Sequence, residues 1–188
     1  MTLILNSTTI KLMKKYSLLF LLLGTLVMIV VMAKTGATLK TPATPKGILD
    51  LEFAYNTEKT TAVIAAWQPS NSVSFDNIAA AKLNTMLDFI FLFFYSLFLF
   101  FTCDKITRIS KSKMGILIAN GALWAGVLDI LENTGMLFTL SGNGSAMIAF
   151  ITTLCSVIKW GLALAAVLYL LGGLVQLVIN KKLQLLFT

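Results

Sequence analysis

No histidine occurs anywhere in this chain. That absence excludes Ser-His-Asp hydrolysis, His-box metal oxygenases and His-ligated zinc sites. Cysteine is nearly as scarce, with two residues and no C-x-x-C spacing, so nothing points to a thiol oxidoreductase. Cys103 falls at the inner end of one apolar run and Cys155 in the outer half of another. Thiols in opposite leaflets cannot approach to disulfide distance, so both read as small apolar fillers. Charge is sparse as well: 12% of residues are charged, against about 25% in an average soluble domain. No internal repeat is visible, which removes support for an inverted-repeat transporter.

Apolar residues fill the gap. They make up 57% of the 188 residues, and mean hydropathy is +0.87. They gather into four runs, at about 16–33, 83–103, 114–140 and 146–170. At about 1.5 Å per residue, the first spans ~27 Å, close to a hydrocarbon core of about 30 Å, and the other three are long enough to cross it. The expected fold is therefore all-α: a four-transmembrane-helix bundle forming a single domain over 1–188. The first run follows Lys14 and Lys15 as a signal peptide would, but it is long for a signal h-region and is expected to be a retained helix.

The 34–82 loop is the only sizeable connection. It opens on the breaker TPATPKG. Asn56 or Thr57 can then cap a short helix ending at Trp67, with Ala62, Val63, Ala66 and Trp67 on one face. An amphipathic loop helix lying half-buried on the membrane surface, anchored by Trp67, is the expectation. After the QPSNS break, Ser74 or Asp76 can cap the second span. A basic loop, DKITRISKSK, joins the second and third spans, and Gly172 with Gly173 is expected to loosen the end of the fourth.

The net charge of +7 does not indicate nucleic acid, because the basic residues flank apolar runs: Lys11, Lys14 and Lys15; Lys105, Arg108, Lys111 and Lys113; Lys181 and Lys182. By the positive-inside rule, both termini and the 103–114 loop are cytoplasmic and the 34–82 loop is extracytoplasmic. The expected location is a bacterial inner (plasma) membrane.

Four ionisable residues interrupt the spans: Asp88, Asp129, Glu132 and Lys159. Each costs ~2.5–3.5 kcal/mol at mid-membrane on insertion scales. They must therefore meet one another, bind something or stay neutral. Asp129, Glu132 and Asn133 share one helix face at i, i+3, i+4, and Met136 extends it. Asn84, Asp88 and Tyr95 align on the second span, as do Thr152, Ser156 and Lys159 on the fourth. The three stripes converge in the outer half of the bundle. Ala119, Ala122 and Gly126, and Gly161 with Ala165, would let helices pack closely. Asp129, Glu132 and Lys159 are the candidate acid–base groups. Asp88, Asn133, Asn84, Tyr95, Ser156 and Trp67 are candidate ligand contacts. A Ser156–Lys159 nucleophile pair lacks a visible oxyanion hole. A single D-x-x-E-N is too short to specify a metal, and no cofactor is indicated.

The segments GILDLEFAYNTEKTTAVIAAW, LDFIFLFFYSLFLFFTC, WAGVLDILENTGML and KWGLALAAVLYLL together resemble a bacterial family of small four-span membrane proteins. The likeness spans most of residues 47–171 and rests on a G-I-x-x-x-E-F-A loop ending in Trp, L-D-F, D-x-x-E-N and K-W. It implies a four-helix architecture and highlights Asp88, Asp129, Glu132, Asn133 and Lys159. It implies no particular reaction. A looser architectural likeness is to sterol-isomerase-type four-helix membrane domains.

Three functions fit these features. A polar pocket in the outer half of the bilayer would bind or modify a lipid or other amphipathic small molecule. A proton- or cation-coupled transporter would act as a homo-oligomer. A scaffold protein would use the charges as interhelical glue.

Overall fold

A computed structural model describes residues 7–68, 76–181 and 183–186, and the described residues are almost entirely helical with no strand. Among the described residues, four helices are long and apolar enough to cross a membrane: α1 (Ser7–Thr35), α4 (Asn77–Ser110), α5 (Lys113–Phe138, continued by a π-helical turn at Thr139–Asn143) and α6 (Ala146–Ile179). Between the first two lie a 3-10 turn, Ala37–Leu39, and two short helices, α2 (Ile48–Glu52) and α3 (Thr57–Trp67). The all-α four-helix bundle expected from the hydropathy pattern is present.

The helices outrun the apolar runs. α4 has 34 residues, about 51 Å at 1.5 Å each, so its ends project beyond a hydrocarbon core. Asp76 caps its start, accepting a hydrogen bond from the Ala79 amide at 3.0 Å. The alternative cap, Ser74, lies outside the described residues. The expected basic loop is mostly helix. Nothing breaks α4 until Lys111 turns left-handed at φ 56°, and an Arg108–Asp104 pair at 2.8 Å braces the last turn. Gly173 does not loosen α6. A side chain there would strike Ile106, so it is a close-packing position.

α4, α5 and α6 pack on one another as a three-helix core, and α1 leans on the outer side of α4. Gly24 sits directly against the Phe94 ring, and Phe20 and Phe94 meet edge-on at 5.7 Å. α1 and α6 hardly touch. At the α4–α5 turn end, Leu99, Cys103, Ile106, Ala119, Ala122, Ala166 and Leu170 form a dense apolar layer. Gly126 packs against Ser96, and Gly135 against Thr152. Gly161, in contrast, has open space around it, and Ala165 is exposed, so neither serves the close contact expected of them.

The 36–68 segment makes a cap with its own small core. Leu39, Leu51, Val63 and Trp67 pack onto Ala81, Met136 and Leu140 at the adjoining ends of α4 and α5. α3 begins where expected, with Asn56 accepting from the Lys59 amide at 2.9 Å. Its buried face differs from the expected one. Thr60, Val63 and Trp67 point inward, and Ala62 is exposed. Trp67 is not a half-buried surface anchor. It is fully buried, and its indole N–H donates to the Leu39 carbonyl at 3.0 Å and to the Thr44 hydroxyl at 3.1 Å. Trp67 thus ties the loop to itself, because a buried indole N–H requires a partner.

Candidate functional site

Gly47 adopts φ 64°, ψ −126°, a conformation that penalises any side chain. This turn aims α2 into the mouth of the bundle, and Glu52 at its end enters the protein interior. Three α6 residues hold it there. Thr153 Oγ1 donates to the Glu52 carbonyl at 2.9 Å, Ser156 Oγ to the same oxygen at 3.4 Å, and Trp160 Nε1 to the Glu52 carboxylate at 3.2 Å. Spaced i, i+3, i+7, they present one face of α6 to the loop.

Below Glu52 lies Lys159. Its Nζ is 3.0 Å from Asp129 Oδ1, 2.8 Å from both oxygens of Glu132 and 3.8 Å from Glu52 Oε2. Of the two Glu132 oxygens, only Oε1 has hydrogen-bonding geometry toward the ammonium; Oε2 is left with ionic contact alone. Asp129 is further engaged by Tyr95, whose hydroxyl donates to Oδ2 at 2.7 Å. Asn133 donates to Asp88 Oδ2 at 2.9 Å. Asn84 donates to the Met32 carbonyl at 2.9 Å and to Thr35 Oγ1 at 2.7 Å, binding α4 to α1. The stripes on α4, α5 and α6 therefore meet, and α2 joins them.

This polar cluster forms one end of a partly open cavity of about 470 Å³. The cavity occupies the gap between α1 and α6, with α4 and α5 behind it and α2 as its roof. Glu52, Asn84, Asp88, Tyr95, Asp129, Asn133, Lys159 and Trp160 contribute its polar end. Leu22, Leu26, Phe91, Phe98, Ala163 and Val167 line the rest, which is predominantly apolar.

The expected site residues divide cleanly. Asp88, Asp129, Lys159, Asn133, Asn84 and Tyr95 lie on the cavity wall. Glu132, Ser156 and Trp67 do not. Glu132 is fully buried behind the wall and pairs with Lys159; Ser156 binds backbone carbonyls at Thr152 and Glu52; Trp67 is enclosed in the cap. Lys159 spends its ammonium on three carboxylates, so it is not disposed to hold an anionic head group. Glu52 was missed as a candidate because it lies in a loop helix, where an acid carries no insertion cost. Its signal was the apolar company it keeps in GILDLEFA. No family model, curated protein or solved structure matches this chain.

Proposed function

We propose that this protein binds one amphipathic small molecule or lipid chain within the membrane, its polar end against the Glu52–Asp88–Asp129–Lys159 cluster. The observation that carries this reading is the cavity itself. A volume of about 470 Å³ falls within the roughly 300–1,000 Å³ of small-molecule sites, which share its mainly apolar wall and few convergent polar groups. The weak contact between α1 and α6 supports access from the lipid side. Binding is better supported than turnover, since both Asp129 oxygens are engaged and Glu132 is off the wall. Transport receives less support, since beyond Leu99 the bundle closes on a packed layer that includes Cys103, Ile106, Ala119, Ala122 and Ala166.

The cellular setting is part of the same proposal. Resemblance of the four motifs to a bacterial family supports an inner-membrane location, and the flanking lysines support cytoplasmic termini with the cap outside. With both native cysteines replaced by alanine, Glu58→Cys should label from outside intact cells, and Lys111→Cys only after permeabilisation. The reverse pattern refutes the orientation.

Native mass spectrometry of the full chain in mild detergent tests binding. An added mass of lipid or amphiphile size is expected on the wild type and lost from Ala163→Phe, which fills the cavity from α6. A bare wild-type mass, with added amphiphiles binding wild type and Ala163→Phe equally, refutes the reading.

A further inference from the structure

We infer that the polar end of this ligand is a hydrogen-bond-donating cation, an ammonium group seated against Asp88. The inference rests on the binding reading above and names the chemistry of the bound head.

Four acids, Glu52, Asp88, Asp129 and Glu132, converge with one base, Lys159, so the cluster is formally negative. Lys159 is consumed by Glu52, Asp129 and Glu132. Asp88 has no ion-pair partner among the described residues, although it is only 9% exposed. One of its oxygens accepts from Asn133, and the other accepts no hydrogen bond among the described residues. A buried carboxylate in this state calls for a cation or a proton.

Lys159, the one cation on the wall among the described residues, is already paired. The cavity therefore offers an unpaired, charged acceptor at Asp88 and no free cationic donor among the described residues. An anionic head would meet uncompensated acids. A hydroxyl would satisfy the acceptor and leave the charge. An ammonium has N–H donors and the complementary charge, so it satisfies the Asp88 carboxylate and neutralises it. A metal ion does not fit, since the converging acids close on the Lys159 ammonium and no three acidic or thiol groups among the described residues are placed to hold one. Phe91 and Trp160 on the wall add aromatic surface suited to a cation and its first methylenes.

Three probes of equal chain length test this on the full-length protein in nonionic detergent: dodecylamine, dodecanol and dodecanoate. Dissociation constants are read by thermophoresis. Dodecylamine is expected to bind at least ten-fold tighter than either of the others. Asp88→Asn keeps an acceptor for Asn133 and removes the charge. It should reduce the amine-over-alcohol preference to about unity. If dodecanol or dodecanoate binds as tightly as the amine, or if Asp88→Asn retains the preference, the inference is overturned while the cavity reading stands. If none of the three binds, the cavity reading fails and takes this one with it. Nanodiscs with and without phosphatidylethanolamine separate two sources of the head group. Competition with dodecylamine identifies a lipid head, and its absence a free amphiphilic amine.

Discussion

Replacing Lys159 with methionine removes the one cation of the cluster while keeping an unbranched side chain of similar reach. The structure sets the consequence. Asp129 and Glu132 are 2% and 0% exposed, and Lys159 Nζ lies at 3.0 and 2.8 Å from them. Neither acid can turn to solvent. Breaking a buried pair by removing one partner costs ~3–5 kcal/mol, because a charge is left uncompensated. At 1.4 kcal/mol per tenfold, the folded-to-unfolded ratio should fall by about 10² to about 5 × 10³. Glu132→Gln should cost much less, since Lys159 keeps Asp129 and Glu52 and the amide oxygen still accepts. The double variant Lys159→Met with Glu132→Gln should fall short of the summed single costs by about 0.5–3 kcal/mol, the range for residues in contact. Reversible unfolding in mixed micelles measures all four proteins. If Lys159→Met lies within about 1 kcal/mol of wild type, the side chain is not clamped as described and the cluster is not an ionic network.

The cap and the helix contacts give three further expectations. Trp67→Ala removes the centre of the cap core and should cost ~3–5 kcal/mol locally, seen as rapid proteolysis within residues 36–68 while the membrane helices remain intact. Glu52→Leu removes the acceptor for Trp160 and the outermost contact of Lys159; loss of a charged hydrogen bond, ~1.5–3 kcal/mol, should speed amide exchange in Ile48–Glu52 by roughly ten- to a hundred-fold. Gly126→Leu forces a side chain into Ser96 and should destabilise by about 1–3 kcal/mol in the same unfolding assay, whereas Gly161→Ala, in open space, should be neutral or stabilising by up to ~1 kcal/mol. Equal effects at the two glycines would contradict the described packing.

The four spans were legible because the bilayer imposes a length and a hydropathy that few other folds share. Convergence of Asp88, Asp129, Asn133 and Lys159 was legible for a related reason: acids and lysines in apolar helices are expensive, and helical spacing says which share a face. Helix ends were poorly legible, since the helix geometry that satisfies Asp104–Ser110 continues past the point where apolar composition stops. Gly126 packs closely as expected, but Gly161 and Gly173 were misassigned, because small residues are needed only where a neighbour arrives. Gly173 faces Ile106 and Gly161 faces nothing, and sequence spacing alone cannot tell them apart.

Glu52 shows where such reading fails in kind. An acid in a loop attracts no notice, because solvent is its default partner. Its role depends on a left-handed turn at Gly47, on a cap core centred on Trp67 and on three α6 side chains that receive it. None of these is local to Glu52. The cap is thereby more than a cover over the bundle. By carrying an acid down to Lys159, it saturates the cluster's cation and leaves Asp88 on the wall without a partner among the described residues. The selectivity proposed for the cavity is thus set in part by a residue of its roof. Glu52→Gln should therefore weaken the ammonium preference by releasing Lys159 toward Asp88, while Asp88→Asn abolishes it. The two can be separated in the same dodecylamine assay. Were Glu52→Gln to leave the preference intact, the roof would be structural only and Asp88 would carry the selectivity alone.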